Sequence, residues 1–285
     1  MKIAGVYSSH DCAFAILEDG IPTVHAELER YLRVKEPVGD AFKFLTEEYK
    51  DYKDIKYYSH TIDTYKGGPM AWYPDSWQEM IKLSSANGGK VVMPGHHKSH
   101  AANAFFSSNH EDALIITLDG GGRDVWDGQI MPTAFTVWEG RGNKIKDVAI
   151  LHEKQVNVGI YWAEFTEEVF GLSRGYPKGN QCGTVMAMAC MGNPDKYHDY
   201  ILKCQFKRSA GDPMPNYKNL KQIAEQSEQD AFDIAAGLQK ATETFVRKLL
   251  EPFIKKSKSR NLCLSGGVVL NSVMVGKMRE EWYKD

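Results

Sequence analysis

Apolar and polar positions along the chain fall into two similar runs. IAGVY, CAFAILE and IPTVHAEL near the N-terminus predict three short strands, with the turn signal Asp19-Gly20 between the second and third. Helical spacing follows over residues 40–50, IKYYSH (55–60) predicts a further strand, and DSWQEMIKLSSA (75–86) a helix capped by Asp75. KGGPMAWYP (66–74) is a loop whose aromatics are expected to pack down on the fold. Residues 96–107 carry another helical pattern. The strand set then starts again with ALIITLD, MPTAFTVWEG and KIKDVAILHE, the last two separated by Gly140 to Asn143.

Three strands followed by helices therefore occur twice, from near residues 2 and 113, with little residue identity between the copies. Residues 159–171 and 179–191 predict helices, joined by the glycine-rich GLSRGYPKGNQCG, and SAGDPMPNYKN (209–219) predicts a Pro/Gly loop. A long amphipathic helix is expected from Glu228 to Lys256, with Ala235, Leu238, Thr242, Phe245, Leu249 and Leu250 on one face. NLCLSGGVVLNSVMVGKM then predicts strand, diglycine turn and helix, shortly before Asp285.

Composition narrows the class. The chain has 285 residues, enough for one large domain or two ordinary ones. A net charge of −2 gives no general affinity for nucleic acid or anionic membranes. Cys12, Cys182, Cys190, Cys204 and Cys263 form no CxxC pair and are odd in number, which predicts reduced thiols of a cytosolic protein. MKIAGVYSSHD lacks a signal-peptide core, and nowhere do eighteen apolar residues run together. The expectation is a soluble, cytoplasmic α/β protein with no membrane partner.

Candidate chemistry sits at the strand ends. His96 and His100 stand at i and i+4, one turn apart on one helix face, where two imidazoles can grip one ion. His97 is an alternative ligand, and chance spacing of structural histidines is the bland reading. No glutamate follows the first histidine, so this is not the HExxH of zinc proteases. Asp119 could add an oxygen ligand. Gly120, Gly121 and Gly122 after it make either a phosphate-cradling turn or an ordinary hairpin. Ser265, Gly266 and Gly267 lie between an apolar strand and a helix, as an anion site at the helix N-terminus or as tight packing, with Asn271 one turn on. His10, beside Asp11 after the first strand, is a general-base candidate or a surface-turn histidine. The charged run Glu29, Arg30, Arg33 and Lys35 is a solvated face or an anionic-substrate contact.

In chain order, HDCAFAILEDG (10–20), ELERYLRVK (27–35), HHKSHAANAFF (96–106), LDGGG (118–122), GIYWAEFTEEVFG (159–171) and NLCLSGGVVLNSVMVGKM (261–278) closely resemble the carbamoyltransferase family. That family includes the nodulation and antibiotic-tailoring O-carbamoyltransferases. The resemblance implies an actin-like ATPase fold (RNase H-like, a duplicated βββαβα unit) related to the tRNA threonylcarbamoyl-transfer proteins, with nucleotide in the cleft between the halves. Subdomain I would cover residues 1–110, and subdomain II, expected to be incomplete at its C-terminal end, residues 111–285. It implies a divalent metal, generally iron with zinc as the alternative, on His96, His100 and Asp119, contacting nucleotide phosphate. It places Gly120–Gly122, Ser265–Gly267 and Asn271 in the nucleotide pocket, and His10 near the acceptor hydroxyl. Asp11, Arg30 and Lys35, in the charged surroundings of His10, are the candidate substrate contacts read from the residues themselves.

The implied reaction has two steps. A YrdC-like domain makes carbamoyl-adenylate from carbamoyl phosphate and ATP, and the actin-like domain passes the carbamoyl group to a small-molecule hydroxyl. Past Asp285 the family pattern continues with another strand, an aspartate that also ligates the metal, and the YrdC-like domain, so that domain or a separate subunit is an expected partner. Thr184 stands where the family has lysine, and Met191 where it has tyrosine. The rival readings are a tRNA threonylcarbamoyl-type transferase and a non-catalytic remnant that binds nucleotide or a partner.

Overall fold

The computed structural model of the protein describes residues 1–61, 71–172 and 180–282. Residues 66–70 of the aromatic loop, 173–179 of the glycine-rich connection and 283–285 lie outside them. The chain divides into two compact units, Met1–His96 and His97–Asp285.

In the first unit, β1 (Lys2–Tyr7), β2 (Ala13–Glu18) and β3 (Ile21–Glu27) form an antiparallel meander, as the apolar pattern predicts. Asp19 and Gly20 both take positive φ, +50° and +85°, which is the backbone a two-residue hairpin with the strands' own twist requires. After the short α1 (Leu28–Leu32) and α2 (Ala41–Glu48), β4 (Tyr57–His60) joins parallel to β1, and β5 (Lys90–Val92) joins β4. The three-residue β5 was not expected. The helix predicted over 75–86 is α3 (Pro74–Ala86), and its start corrects the expected cap. Proline occupies its first turn, where a missing N–H costs nothing, and Asp75 lies inside the helix rather than before it. Val6, Phe14, Ile16, Leu45, Tyr58 and Met80 make the buried core between sheet and helices.

The second unit repeats the plan. Helix α4 (His96–Phe106) is followed by the meander β6 (Asp112–Trp126), β7 (Gln129–Arg141) and β8 (Lys144–His152). Then come α5 (Val158–Glu164) with a π-helical turn over Phe165–Val169, α6 (Cys182–Ala189), α7 (His198–Leu202), α8 (Tyr217–Ala224) and α9 (Glu228–Lys256). Finally β9 (Leu262–Ser265) lies parallel to β6, ahead of a one-turn 3-10 segment, Gly267–Leu270, and α10 (Ser272–Lys277).

The strand orders are β3-β2-β1-β4-β5 and β8-β7-β6-β9. Each sheet is thus an antiparallel meander whose first strand takes a parallel neighbour on its other side. The duplication expected from the strand pattern is present in the topology.

Sheet alternation explains why ALIITL is apolar throughout. Leu114, Ile116 and Leu118 face the core shared with Trp162, Leu238 and Leu250, while Ala113 and Ile115 face Ala101 and Phe105 of α4. Phe105 fixes α4 on this sheet, because a Cβ at Gly140 of β7 would lie 2.7 Å from its ring. That contact carries α4 with the second unit. The long helix spans the predicted range, with Ser227 Oγ accepting the Asp230 N–H at its start. Among the described residues no helix is long and apolar enough to cross a membrane. All five cysteines are free thiols.

Candidate metal centre

Helix α4 opens with Met93-Pro94-Gly95 before it, which supplies no capping side chain. Its cap comes from β6 instead. The Asp124 carboxylate accepts the His97 N–H at 3.2 Å and the Lys98 N–H at 3.1 Å. The same carboxylate meets His97 Nδ1 at 2.8 Å and the Thr133 hydroxyl at 2.6 Å. His97, Asp124 and Thr133 are all buried. Burial opposes charge on Asp124, but the hydrogen bond and charge of His97, with the Thr133 and Lys98 donors, hold its carboxyl down to about 2. His97 is thereby committed to Asp124, and its ring stands edge-on to that of His100 at 6.4 Å. None of Asp124, Thr133 or this role of His97 was read from the sequence.

His96 and His100 converge with Asp119. The three donor atoms lie within 4.8 Å of one another, all half-buried. His100 Nε2 is 3.0 Å from Asp119 Oδ2, and its Nδ1 is 3.3 Å from Ser265 Oγ. Asp119 Oδ1 accepts the Gly120 N–H at 2.6 Å.

Asp119 was expected to end its strand in a glycine turn. The strand instead continues through the glycines to Trp126, and the hairpin falls at Asp127-Gly128, with φ of +48° and +76°. Pairing with β7 breaks between Leu118 and Gly122. This bulge frees residues 119–121 from the ladder and aims Asp119 at the histidines.

The diglycine closes against the same spot. Gly266 has φ +100°, and a Cβ there would lie 2.3 Å from the Leu118 carbonyl oxygen. A Cβ on Gly267 would stand 3.1 Å from Asp119 Oδ1. Gly159, in the first turn of α5, meets Gly120 from the other side, where a Cβ would lie 2.5 Å from the Gly120 nitrogen. Backbone therefore approaches backbone around Asp119 from two directions.

The anion-binding helix start expected after Gly267 is a 3-10 turn, and α10 begins only at Ser272. Asn271 caps it, its Oδ1 accepting the Met274 N–H at 3.0 Å, and its amide exchanges hydrogen bonds with Gln239 at 2.8 and 3.1 Å. Both ends of the Asn271 amide are thus engaged within the fold.

The remaining predicted residues belong to the first unit. His10 Nδ1 bonds Asp11 Oδ2 at 2.6 Å, and the ring stands edge-on to Tyr7. The preceding loop is tied down, since Ser8 N–H donates to buried His60 Nε2 at 3.0 Å and Ser8 Oγ accepts the Ala41 N–H. Asp11 and Arg30 line a cavity of about 330 Å³ together with His25, Glu27 and Glu29. Arg30 pairs with Glu27 at 2.9 Å and Glu29 at 3.3 Å, so its charge is turned toward acids of its own neighbourhood. Exposed Lys35 is not among the residues lining that cavity.

Two imidazole nitrogens and one carboxylate oxygen fit a divalent transition ion such as Fe²⁺ or Zn²⁺, and three protein donors leave coordination positions for oxygen ligands.

The duplicated sheets define an actin-like ATPase fold. Full-length HypF, solved in its phosphate- and nucleotide-bound form, superposes with a TM-score of 0.54 at 15% identity, over 99% of this chain and 50% of that one. HypF of T. kodakarensis gives 0.54 at 13% identity, over 98% and 43%. At these identities the likeness is one of fold.

Residues 73–284 match the family described as Carbamoyltransferase N-terminus, and the chain belongs to that family. Synechocystis protein sll1178, described as uncharacterized, is 26% identical over 95% of this chain and 51% of its own length. Nodulation protein NolNO of Sinorhizobium fredii is 26% identical over 66% of this chain and 27% of its own. Nodulation protein NolO of Bradyrhizobium diazoefficiens is 27% identical over 64% and 32%. The chain therefore spans about half the length of the first relative and less of the other two.

Proposed function

We propose that this chain is the actin-like part of an O-carbamoyltransferase. It takes carbamoyl-adenylate, formed from carbamoyl phosphate and ATP on a YrdC-like domain or subunit, and passes the carbamoyl group to a hydroxyl of a small-molecule acceptor. The observation that carries this reading is the convergence of His96, His100, Asp119 and Ser265 at the β6 bulge, in a member of this family.

His96, His100 and Asp119 are the residues that would hold the divalent ion. When bound, that ion supplies positive charge to the phosphate that departs as AMP. Backbone at Gly120–Gly122 and Ser265–Gly267 takes the nucleotide phosphates, since residues without Cβ let N–H groups come close to an anion.

Asp11 holds His10 Nδ1 at 2.6 Å, which makes Nε2 the nitrogen that receives a proton. As the acceptor oxygen bonds to the carbamoyl carbon, the carbon–oxygen bond to phosphate breaks. The hydroxyl proton passes to His10, and AMP leaves.

The reading is tested with radiolabelled carbamoyl phosphate, ATP, a YrdC-like subunit and a panel of hydroxyl compounds. Label should enter a carbamate ester only with the chain present, and should not with His96→Ala or Asp119→Asn. Transfer that ignores these substitutions refutes it.

A further inference from the structure

The geometry points to Asp124, seconded by Thr133, as the positioning residue of the metal site; this rests on reading His96, His100 and Asp119 as the ligands. Both ligand histidines sit in the opening turns of α4. There the first backbone N–H groups have no partner within the helix, and ends fray unless something holds them. The preceding Met93-Pro94-Gly95 has no side chain to do so. Asp124 does it from the neighbouring strand, through the His97 and Lys98 N–H groups and the His97 ring.

Asp124 and the ligand Asp119 belong to the same strand, on the far and near sides of the β6 bulge. One rigid element therefore supplies the third ligand and also fixes the rotational phase of the helix that supplies the other two. Thr133 completes the lock from β7. Its hydroxyl reaches Asp124 Oδ2 at 2.6 Å and His97 Nδ1 at 2.9 Å. His97, between the two ligand histidines in sequence, is the pin, and its ring stands edge-on to that of His100 at 6.4 Å. With Asp124 removed, α4 loses this anchor to the far end of the bulged strand, while His96, His100 and Asp119 are all retained.

The test uses Zn²⁺ alone as the probe, by chelator competition, at a temperature where each protein keeps its native circular dichroism. Asp124→Ala should bind Zn²⁺ about 10-fold more weakly than the parent, the lower end of what removing a direct partner of a ligand does, because Asp124 acts through the helix. Thr133→Val should weaken it less. Asp124→Asn should recover part of the loss, because its one amide oxygen still accepts one of the two helix N–H groups.

Unchanged Zn²⁺ affinity in a folded Asp124→Ala protein, with only a lowered melting temperature, overturns the inference and leaves Asp124 a cap. Should Asp124→Ala not fold, Asp124→Asn and Thr133→Val carry the test, and parental affinity in both overturns it. His96→Ala and His100→Ala are the controls for the underlying reading. If they keep parental affinity, the metal assignment itself fails, whatever Asp124 does.

Discussion

A side chain at Gly266 would place its Cβ 2.3 Å from the carbonyl oxygen of Leu118, the residue before Asp119. The φ of +100° and ψ of 160° at Gly266 belong to a region that only glycine occupies readily. Gly266→Ala is therefore expected to cost about 3 kcal/mol or more, from backbone strain and overlap together. Gly267→Ala, with 3.1 Å to Asp119 Oδ1 and no positive φ, should cost roughly 1 kcal/mol by the same reckoning while displacing the carboxylate. Urea unfolding of the two variants checks the contrast, and equal stability of both would contradict it.

Asp124 gives stability its own acid limb. Its carboxyl ionises near 2 in the fold against an ordinary value of 3.8, so the unfolded chain binds the proton more readily. The contribution is complete above the ordinary value and disappears as pH falls from there to about 2. At one pKa unit per about 1.4 kcal/mol, it amounts to about 2 kcal/mol at neutral pH. Asp124→Asn should be less stable by about that much at pH 7, with the gap closing between about pH 4 and pH 2. A gap that stays constant with pH would show that the charge is not what matters.

Asn271 serves two structural purposes, capping α10 and pairing its amide with Gln239 of α9. Asn271→Ala should lower stability by about 1–2 kcal/mol, the range for losing a cap together with a part-buried hydrogen bond. Asn271→Asp keeps the capping oxygen and should recover part of that loss. Full stability of Asn271→Ala in denaturant titration would leave the side chain available for a ligand.

Much of this fold was legible because strand periodicity survives without tertiary information. The first meander follows from IAGVY, CAFAILE and the Asp19-Gly20 turn, and α9 from a long helical stripe begun by Ser227. Other features depend on contacts the sequence does not display. Three glycines after Asp119 look like a strand end, yet a bulge absorbs them and the hairpin signal Asp127-Gly128 lies further on. The triplet Lys90–Val92 is too short to show any alternation. His96, His100 and Asp119 could be nominated from spacing, but the partner that orients their helix could not. Asp124 is a lone acid in GGGRDVW, next to an exposed Val125, and its meaning comes from a histidine 27 positions away.

His10 is expected to act on the acceptor rather than on the nucleotide. His10→Ala should keep the chain's affinity for ATP within about twofold while transfer falls by 10²–10⁴, the usual share of a general base. ATP titration and the labelled-carbamate assay measure the two separately. Loss of both together would make His10 a folding or binding residue.

The central claim is that His96, His100 and Asp119 hold a metal that takes part in nucleotide binding. Calorimetric titration of the purified chain with ATP, with and without Fe²⁺, tests it most directly. The account predicts binding that requires the ion and is lost in His96→Ala. ATP binding that is unchanged without Fe²⁺ or in His96→Ala, or no binding by a folded sample loaded with Fe²⁺, would contradict it.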